Sequence, residues 1–519
     1  NNLYKKIFNN RGIYRSPLKI LKLADMAEMK NLAKQTAIYG ISSILGKFLN
    51  WCLVPLYTYI LTSSAEYGVV TNLYAWTALL LVLLTYGMET GFFRFANKSD
   101  EDPQKVYSSV LCCVGATSLF FAIVAFIFSQ SIANILGYPS HPEYITMMAV
   151  IVAMDAFGCI PFAYLRYQNK AARFAIIKMI MIIINIFFNI FFLLICPWLM
   201  QKAPSLVDWF YNPNYGVGYV FVSNLFSTIS VTLMLMPQIL KAQCKIDKVL
   251  LKRILSYSLP LLILGIAGIM NQTIDKIIFP YLMPDRLVAE TQLGIYGACF
   301  KVAMVMMVFT QAFRYAYEPF VFAQNKNGDK KKEYADAMKF FVIFSLLIVL
   351  GMIFFLDILK YLIRSDYWEG LKVVPIILFS YLFQGIFFNL SLWYKLIDKT
   401  HYGAILSVIG LIITLAINII FVPKYGYMAS AAASLCCYFV IMLISYFLGQ
   451  KYYAIQYDLK SIGLYLVVTV ALLAIEHYSP LEGVLKYLQN IVLLGLFIFL
   501  IVKRDLPLRA IPFIGKFFR

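Results

Sequence analysis

Charged residues are scarce in this chain, and so are the side chains that most often bind metals. Only 14% of the 519 residues are charged and 61% are hydrophobic, whereas soluble proteins carry about 25% charged and about 45–50% apolar residues. The three histidines lie far apart, and the nine cysteines form no Cys-x-x-Cys or Cys/His pattern. We therefore predict no metal site, no disulfide framework and no cofactor. The composition also excludes a soluble globular protein.

Catalytic motifs and a cleavable signal sequence are lacking as well. The sequence contains no HExxH, GxSxG or P-loop motif and no paired catalytic carboxylates, so we predict that the protein is not an enzyme. Residues 1–34 hold eight lysines or arginines and no cleavable apolar core. This pattern favours a basic segment at a membrane surface over a secretory signal.

Long apolar runs, in contrast, fill most of the chain. A helix needs about 20 apolar residues to cross a bilayer core of about 30 Å. The sequence predicts an all-α polytopic membrane protein with about fourteen transmembrane helices. We place these spans near residues 35–61, 69–93, 106–128, 144–165, 174–196, 217–238, 255–283, 293–322, 338–362, 372–394, 402–422, 427–449, 461–477 and 485–502.

The distribution of basic residues supports this count. With the N-terminus placed inside, the segments predicted to face the cytoplasm hold 34 of the 45 lysines and arginines, and those predicted to face outward hold six. Positive charge concentrates on the cytoplasmic side of membrane proteins, so we expect both termini in the cytoplasm. The net charge of +19 then follows from topology and contact with anionic lipid, and no nucleic-acid partner is expected.

The sequence also contains a weak internal repeat. In the better-matched stretches, Gly68 corresponds to Gly294, and both copies of a later stretch are followed by a Tyr-Gly pair. An even number of helices per repeat makes the two copies parallel, which favours a binding site between them near the midplane. The matched segments are 66–76 with 292–302 and 169–192 with 398–421. The predicted units are a basic segment (1–34), an N-lobe of helices 1–6 (35–253), a C-lobe of helices 7–12 (254–450), and helices 13–14 with a basic tail (451–519).

Three local motifs accompany this layout. They are Glu66-Tyr67-Gly68 at the start of the second span, Asn271-x-x-x-Asp275-Lys276 in the seventh, and Gly294-x-Tyr296 followed by Lys301 in the eighth. With them, the chain resembles the polysaccharide flippases, which are the Wzx-type O-antigen and capsule translocases of the multidrug/oligosaccharidyl-lipid/polysaccharide superfamily.

That resemblance implies a two-lobe bundle in the inner membrane of a bacterium, working by alternating access. It implies as cargo a lipid-linked (undecaprenyl-pyrophosphate) oligosaccharide for surface polysaccharide or lipopolysaccharide synthesis, moved from the cytoplasmic to the periplasmic leaflet. The energy source, H⁺, Na⁺ or the membrane potential, is left open. The related lipid II flippases share the architecture, but their arginine-rich first helix is not matched by GISSILGKFLNW (40–51). This difference favours a surface glycan over peptidoglycan.

Basic residues inside the spans are candidates for cargo binding. A charge at the bilayer centre costs about 2.5–3.5 kcal/mol on insertion scales, whereas a pyrophosphate headgroup needs cations in a partly dry lumen. We predict that Lys47, Lys276 and Lys301 share such a lumen. Asp275 directly precedes Lys276, and neighbouring side chains on a helix point about 100° apart. We therefore expect that the two do not neutralise each other as a local pair. The alternative for each lysine is structural pairing with a carboxylate.

Two arginines are expected near cytoplasmic helix ends. Arg314 and Arg94 are candidates for the entrance of an anionic cargo. Arg314 also precedes Glu318 by four residues, a spacing that permits an ion pair on one helix face, and this alternative remains open.

Acids inside the spans are candidates for ion coupling. Asp155 lies near the middle of the fourth span, and isolated carboxylates at that depth often bind protons or cations. Pairing with a lysine and direct contact with cargo are the alternatives for Asp155. Asp275 and Glu89 are further candidates.

Rival functions remain open at this point. A multidrug cation exporter of the same superfamily would favour an acidic lumen and twelve spans. A membrane glycan polymerase or ligase normally needs a large external loop, whereas the longest predicted outer loop, near 197–216, holds only Lys202 and Asp208 as charged residues. A scaffold without transport activity is the third rival.

Overall fold

The described part of the chain is almost entirely helical. The computed structural model describes residues 40–42, 44–97, 101–243, 246–324 and 331–505, and these ranges contain no β-strand. The helices of the first half are α1 Leu53–Ile60, α2 Ser64–Thr85, α3 Met88–Ala96, α4 Pro103–Ile127, α5 Ser129–Leu136, α6 Pro142–Tyr167, α7 Ala171–Ile190, α8 Cys196–Lys202 and α9 Gly218–Ile239. The helices of the second half are α10 Lys248–Leu282, α11 Arg286–Val302, α12 Met304–Gln324, α13 Lys331–Phe354, α14 Leu356–Leu359, α15 Val374–Leu390, α16 Leu392–Leu396, α17 His401–Tyr425, α18 Tyr427–Tyr452, α19 Leu459–His477 and α20 Gly483–Arg504.

The helices reproduce the predicted spans. Twelve helical segments of the described part are long and apolar enough to cross a membrane, and a thirteenth results when α11 and α12, bent by 45°, count as one span. They coincide with the second to the fourteenth predicted spans. The predicted first span, 35–61, lies partly outside the described residues, and its residues 44–51 and 53–60 are helical. The all-helical, multi-pass membrane fold predicted from the sequence is confirmed.

Aspartates set the starts of the two helices that carry Lys276 and Lys301. The Asp247 carboxylate accepts hydrogen bonds from backbone N–H groups in the first turn of α10, and Asp285 does the same for α11. Loss of such a cap typically costs about 1 kcal/mol. Asp247 and Asp285 thus fix where α10 and α11 begin.

The internal repeat is visible in the backbone. Asn169 and Asp398, which are matched in the sequence repeat, both adopt the left-handed conformation with φ of +56°. Asn and Asp tolerate that region better than other residues with a β-carbon. The matched Gly216 and Gly426 also have positive φ, of +36° and +56°. Both copies therefore use a positive φ at the matched residues, although residues 203–217 connect the two helices in the first copy and Gly426 alone connects them in the second.

The two halves meet where α2 crosses α11. Gly68 lies against the backbone of Glu290, and Gly294 lies against the backbone of Ser64. A β-carbon built on Gly294 would stand 1.8 Å from the carbonyl oxygen of Ser64. Small residues allow membrane helices to approach this closely. The repeat-related glycines therefore fix the crossing of the halves.

Helix α10 contacts both halves. Near its start, Ser258 packs against Gly91 of α3. Further along, the Asn271 amide donates a 2.8 Å hydrogen bond to the carbonyl of Ser407 on α17. The lobe boundary predicted between residues 253 and 254 thus falls inside this helix, and the division into lobes stays a prediction.

Candidate functional site

A cavity of about 480 Å³ lies between the two halves. The first half contributes α1, α2, α7 and α9 to its wall, and the second contributes α10, α11, α12, α15 and α18. Among the described residues, its charged lining consists of Lys276 and Lys301, without an acidic side chain. The amides and tyrosines of the wall are Asn50, Tyr57, Tyr67, Tyr74, Asn185, Asn224, Asn271, Gln272, Tyr381, Gln384 and Tyr438.

Lys276 is paired with its chain neighbour. Its ammonium nitrogen lies 2.9 Å and 3.1 Å from the two carboxylate oxygens of Asp275, so the prediction that the two do not form a local pair is wrong. The spacing rule describes the directions in which side chains leave the helix, but the long, flexible lysine stem folds back around it. Tyr296 donates a 2.8 Å hydrogen bond to the same carboxylate.

Lys301 is one of a series of cations. Its side chain is exposed and lines the cavity, and within the described part of the chain it forms no ion pair. Its charge lies within electrostatic range of Lys276 and Lys47, and Lys47 lies within range of Arg314. The Trp51 indole donates a 2.8 Å hydrogen bond to the Lys301 carbonyl, which joins the first helical segment to α11. Four of the predicted basic residues thus follow one another within electrostatic range, but Lys47 and Arg314 are not among the residues that line the cavity.

Arg314 lies beside an aromatic ring. Its guanidinium carbon stands 4.5 Å from the ring centroid of Phe388. The side chain of Glu318 lies outside the described residues, so the pairing of Arg314 with Glu318 stays a prediction.

Arg94 and Glu89 lie on α3, apart from the cavity. The Arg94 guanidinium stacks 4.1 Å from the ring centroid of Tyr257 on α10. Glu89 forms an ion pair with Arg166 of α6. Neither residue lines the cavity. Helix α3 lies at the end of the second span, the end that is predicted to face the cytoplasm.

Asp155 lies behind the cavity wall in the first half. The Thr228 hydroxyl donates a 3.4 Å hydrogen bond to its half-buried carboxylate. Lys178 on α7 and Tyr74 on α2 lie within electrostatic range of Asp155, but among the described residues Lys178 and Asp155 do not reach ion-pair contact. Tyr74 and Ser227, the neighbour of Thr228, line the cavity. Asp155 is therefore one side chain removed from it.

Polar contacts join the halves at the end that is predicted to face the periplasm. Arg364 donates hydrogen bonds to the carbonyls of Leu61 (2.8 Å) and Thr62 (3.3 Å). Arg286 donates a 2.7 Å hydrogen bond to the carbonyl of Leu136. Hydrogen bonds from a charged donor are roughly twice as strong as neutral ones. We call these three contacts the outer closure.

A family model gives the family of the chain. The model described as polysaccharide biosynthesis protein matches residues 60–373, which is more than half of the sequence. The chain belongs to the polysaccharide biosynthesis protein family. The matched stretch includes Asp155, Asp275, Lys276 and Lys301 and begins after Lys47. No curated protein matches the sequence.

Solved structures share the fold of this polysaccharide biosynthesis protein. The lipid II flippase MurJ in an inward closed conformation has a TM-score of 0.70 at 16% identity, covering 90% of this chain and 99% of that one. An inward-facing multidrug resistance MATE family transporter of the MOP superfamily has a TM-score of 0.59 at 12% identity, covering 81% and 94%. An outward-facing transporter of the same kind has a TM-score of 0.55 at 14% identity, covering 81% and 95%. At these identities the likeness establishes the fold.

Two residues near the site were missed by sequence reasoning. Lys178 is absent from the predicted site, but it lies within α7 and in electrostatic range of Asp155. Tyr296 stands out in the sequence only as part of a motif, but it donates a hydrogen bond to the Asp275 carboxylate. The sequence does contain a signal for Lys178, because Asp155 on the preceding predicted span carries the opposite charge. Across the described ranges, no group of three or more His, Cys, Asp or Glu side chains is arranged to hold a metal ion.

Proposed function

We propose that this protein is a flippase for a lipid-linked (undecaprenyl-pyrophosphate) oligosaccharide. It moves this cargo from the cytoplasmic to the periplasmic leaflet of a bacterial inner membrane, for the synthesis of a surface polysaccharide such as O-antigen. The observation that carries the proposal is the cavity between the halves, whose charged lining residues are Lys276 and Lys301. Membership of the polysaccharide biosynthesis protein family supports the same cargo class.

A diphosphate headgroup in the cargo explains why lysines lie inside the membrane-spanning part of the protein. An unpaired ion in an apolar medium costs several kcal/mol or more, and ammonium groups at a partly dehydrated wall offset that cost. Lys301 meets the diphosphate, and Lys47 and Arg314 extend the positive potential beyond the cavity. The amides of the wall donate and accept hydrogen bonds, which suits the hydroxyl groups of a saccharide.

Transport proceeds by alternating access between the lobes 35–253 and 254–450. Structures of this fold are known in inward-facing and outward-facing conformations. In the orientation that we propose, with both termini in the cytoplasm, the outer closure seals the periplasmic end in the conformation described here. Opening toward the periplasm then requires Arg286 and Arg364 to release their carbonyl partners.

The direct test is leaflet-resolved translocation by purified protein in proteoliposomes. A labelled undecaprenyl-pyrophosphate oligosaccharide is expected to reach the opposite leaflet only in the presence of the protein. Failure with several glycans and with imposed ion gradients would contradict the proposal. Exchange of an organic cation for protons by the same liposomes would favour the multidrug exporter instead.

For Asp155 we propose a role in ion coupling. An Asp155→Asn variant is expected to lose the response of translocation to an imposed H⁺ or Na⁺ gradient, because the amide cannot exchange a proton or neutralise a cation. Translocation is measured with and without each gradient. The control is Asp357→Asn, which removes an aspartate that is ion-paired with Lys486 and lies on α14, beyond the end of the spanning helix α13. If Asp155→Asn responds to the gradient as the parent does, Asp155 is not the coupling site.

A further inference from the structure

Asp275 and Lys276 differ in their access to the cavity. Their exposed fractions are 2% and 8%, yet Lys276 lines the cavity and Asp275 does not. The Lys276 ammonium also donates a 3.2 Å hydrogen bond to the Gln272 carbonyl and stands 4.0 Å from the ring centroid of Phe300. An anion in the cavity can therefore reach this ammonium without first meeting the carboxylate.

The carboxylate has a second partner. Tyr296, fully buried on α11, donates a 2.8 Å hydrogen bond to the Asp275 oxygen that lies 2.9 Å from the ammonium. If Lys276 turns toward the cavity, the hydroxyl of Tyr296 stays on the carboxylate. A buried carboxylate left without any partner would be costly, so Tyr296 makes the release of Lys276 less unfavourable.

We propose that Asp275 competes with the diphosphate headgroup for Lys276. This inference rests on the proposed function and adds its regulation. Before cargo binds, Asp275 holds the lysine in its folded-back position. The arriving diphosphate takes over the ammonium, and Asp275 takes it back when the cargo leaves. Asp275 thereby lowers the affinity for the headgroup and speeds its release, as a positioning residue that acts through Lys276.

The proposal predicts opposite effects for two substitutions. Asp275→Asn removes the competing charge and is expected to tighten binding of undecaprenyl pyrophosphate by about three- to tenfold, with slower turnover of the oligosaccharide cargo. Tyr296→Phe keeps the ring but removes the second partner of Asp275. This variant is expected to weaken binding of undecaprenyl pyrophosphate by a factor of about three. Without the tyrosine hydroxyl, the Asp275 carboxylate holds the Lys276 ammonium more strongly, and the headgroup must compete harder for it.

The measurement is the dissociation constant of undecaprenyl pyrophosphate for the purified full-length protein in detergent, together with KM and kcat for translocation. A parallel titration with inorganic pyrophosphate separates a free diphosphate from the lipid-linked one. Asp357→Asn serves as a matched control, since Asp357 is ion-paired with Lys486 (2.8 Å) outside the cavity, and its constants are expected to equal those of the parent.

Tighter binding of undecaprenyl pyrophosphate by Asp275→Asn, together with weaker binding by Tyr296→Phe, supports the competition. Weaker binding in both variants, or no change in Asp275→Asn, overturns it while leaving the flippase function standing if the parent binds and translocates. Tyr296→Phe decides the question if Asp275→Asn does not fold, because unchanged or tighter binding in that variant also contradicts the proposal. Absence of binding by the parent would overturn both the competition and the proposed function. Tighter binding of inorganic pyrophosphate than of the lipid-linked form would overturn the assignment to lipid-linked cargo.

Discussion

Replacing Gly294 with alanine is expected to lower the apparent melting temperature of the purified protein by about 5–10 °C. The added β-carbon would stand 1.8 Å from the Ser64 carbonyl oxygen and 2.9 Å from the Gly68 backbone nitrogen. Both obstacles are backbone atoms, which cannot move aside as a flexible side chain can. The crossing of α2 and α11 must therefore open, and the cavity between the halves changes shape with it.

Two other glycines provide matched controls for this prediction. Gly268 on α10 and Gly351 on α13 have no heavy atom within 4 Å of an added β-carbon. Because alanine favours a helix over glycine by about 1 kcal/mol, Gly268→Ala and Gly351→Ala are expected to melt at or slightly above the temperature of the parent. Equal melting of Gly294→Ala and its parent would contradict the close approach of α2 and α11.

Replacing Lys301 with alanine is expected to reduce translocation of the lipid-linked oligosaccharide by about 10- to 100-fold. A hydrogen bond to a charged group contributes about 1.5–3 kcal/mol, and each 1.4 kcal/mol corresponds to about a tenfold change. Lys301 has the largest expected effect of the lysines because no carboxylate of the described residues pairs with it, whereas Lys276 has Asp275. Initial translocation rates in proteoliposomes measure the loss.

Three comparisons make this prediction specific. Lys301→Arg keeps the charge and is expected to retain part of the rate. Lys202→Ala removes an exposed lysine at the end of α8, outside the cavity, and is expected to behave as the parent. The melting temperature of Lys301→Ala is expected to stay near that of the parent, because removing one of several mutually repelling cations does not break a packing contact. Full translocation by Lys301→Ala would contradict the role of the cationic wall.

The spans could be predicted because membrane insertion leaves a strong, local signal. Apolar length and the location of basic residues are properties of each segment alone. These two properties were enough to predict every span that the structure describes in full. The repeat was also readable, since Asn169 and Asp398 reflect a backbone turn that few residue types tolerate.

The site was harder because its contacts are not local. The pairing of Asp275 with Lys276 depends on how a long side chain folds, which the spacing of two residues does not determine. Tyr296 reaches Asp275 only when α11 packs beside α10, and Lys178 comes within electrostatic range of Asp155 only when α7 packs beside α6. The cavity itself depends on the crossing of two helices more than 200 residues apart in the sequence, and no periodic pattern indicates that crossing.

The most direct test of the cationic cavity is to compare three lipids that share one undecaprenyl chain and differ in headgroup. These are a diphosphate-linked saccharide, the same saccharide on a monophosphate, and uncharged undecaprenol. We expect protein-dependent translocation in proteoliposomes to be fastest for the diphosphate, slower for the monophosphate and absent for undecaprenol, with the preference for the diphosphate lost in Lys301→Ala. Equal translocation of all three lipids, or an unchanged preference in Lys301→Ala, would contradict the claim that lysines in the cavity recognise the headgroup.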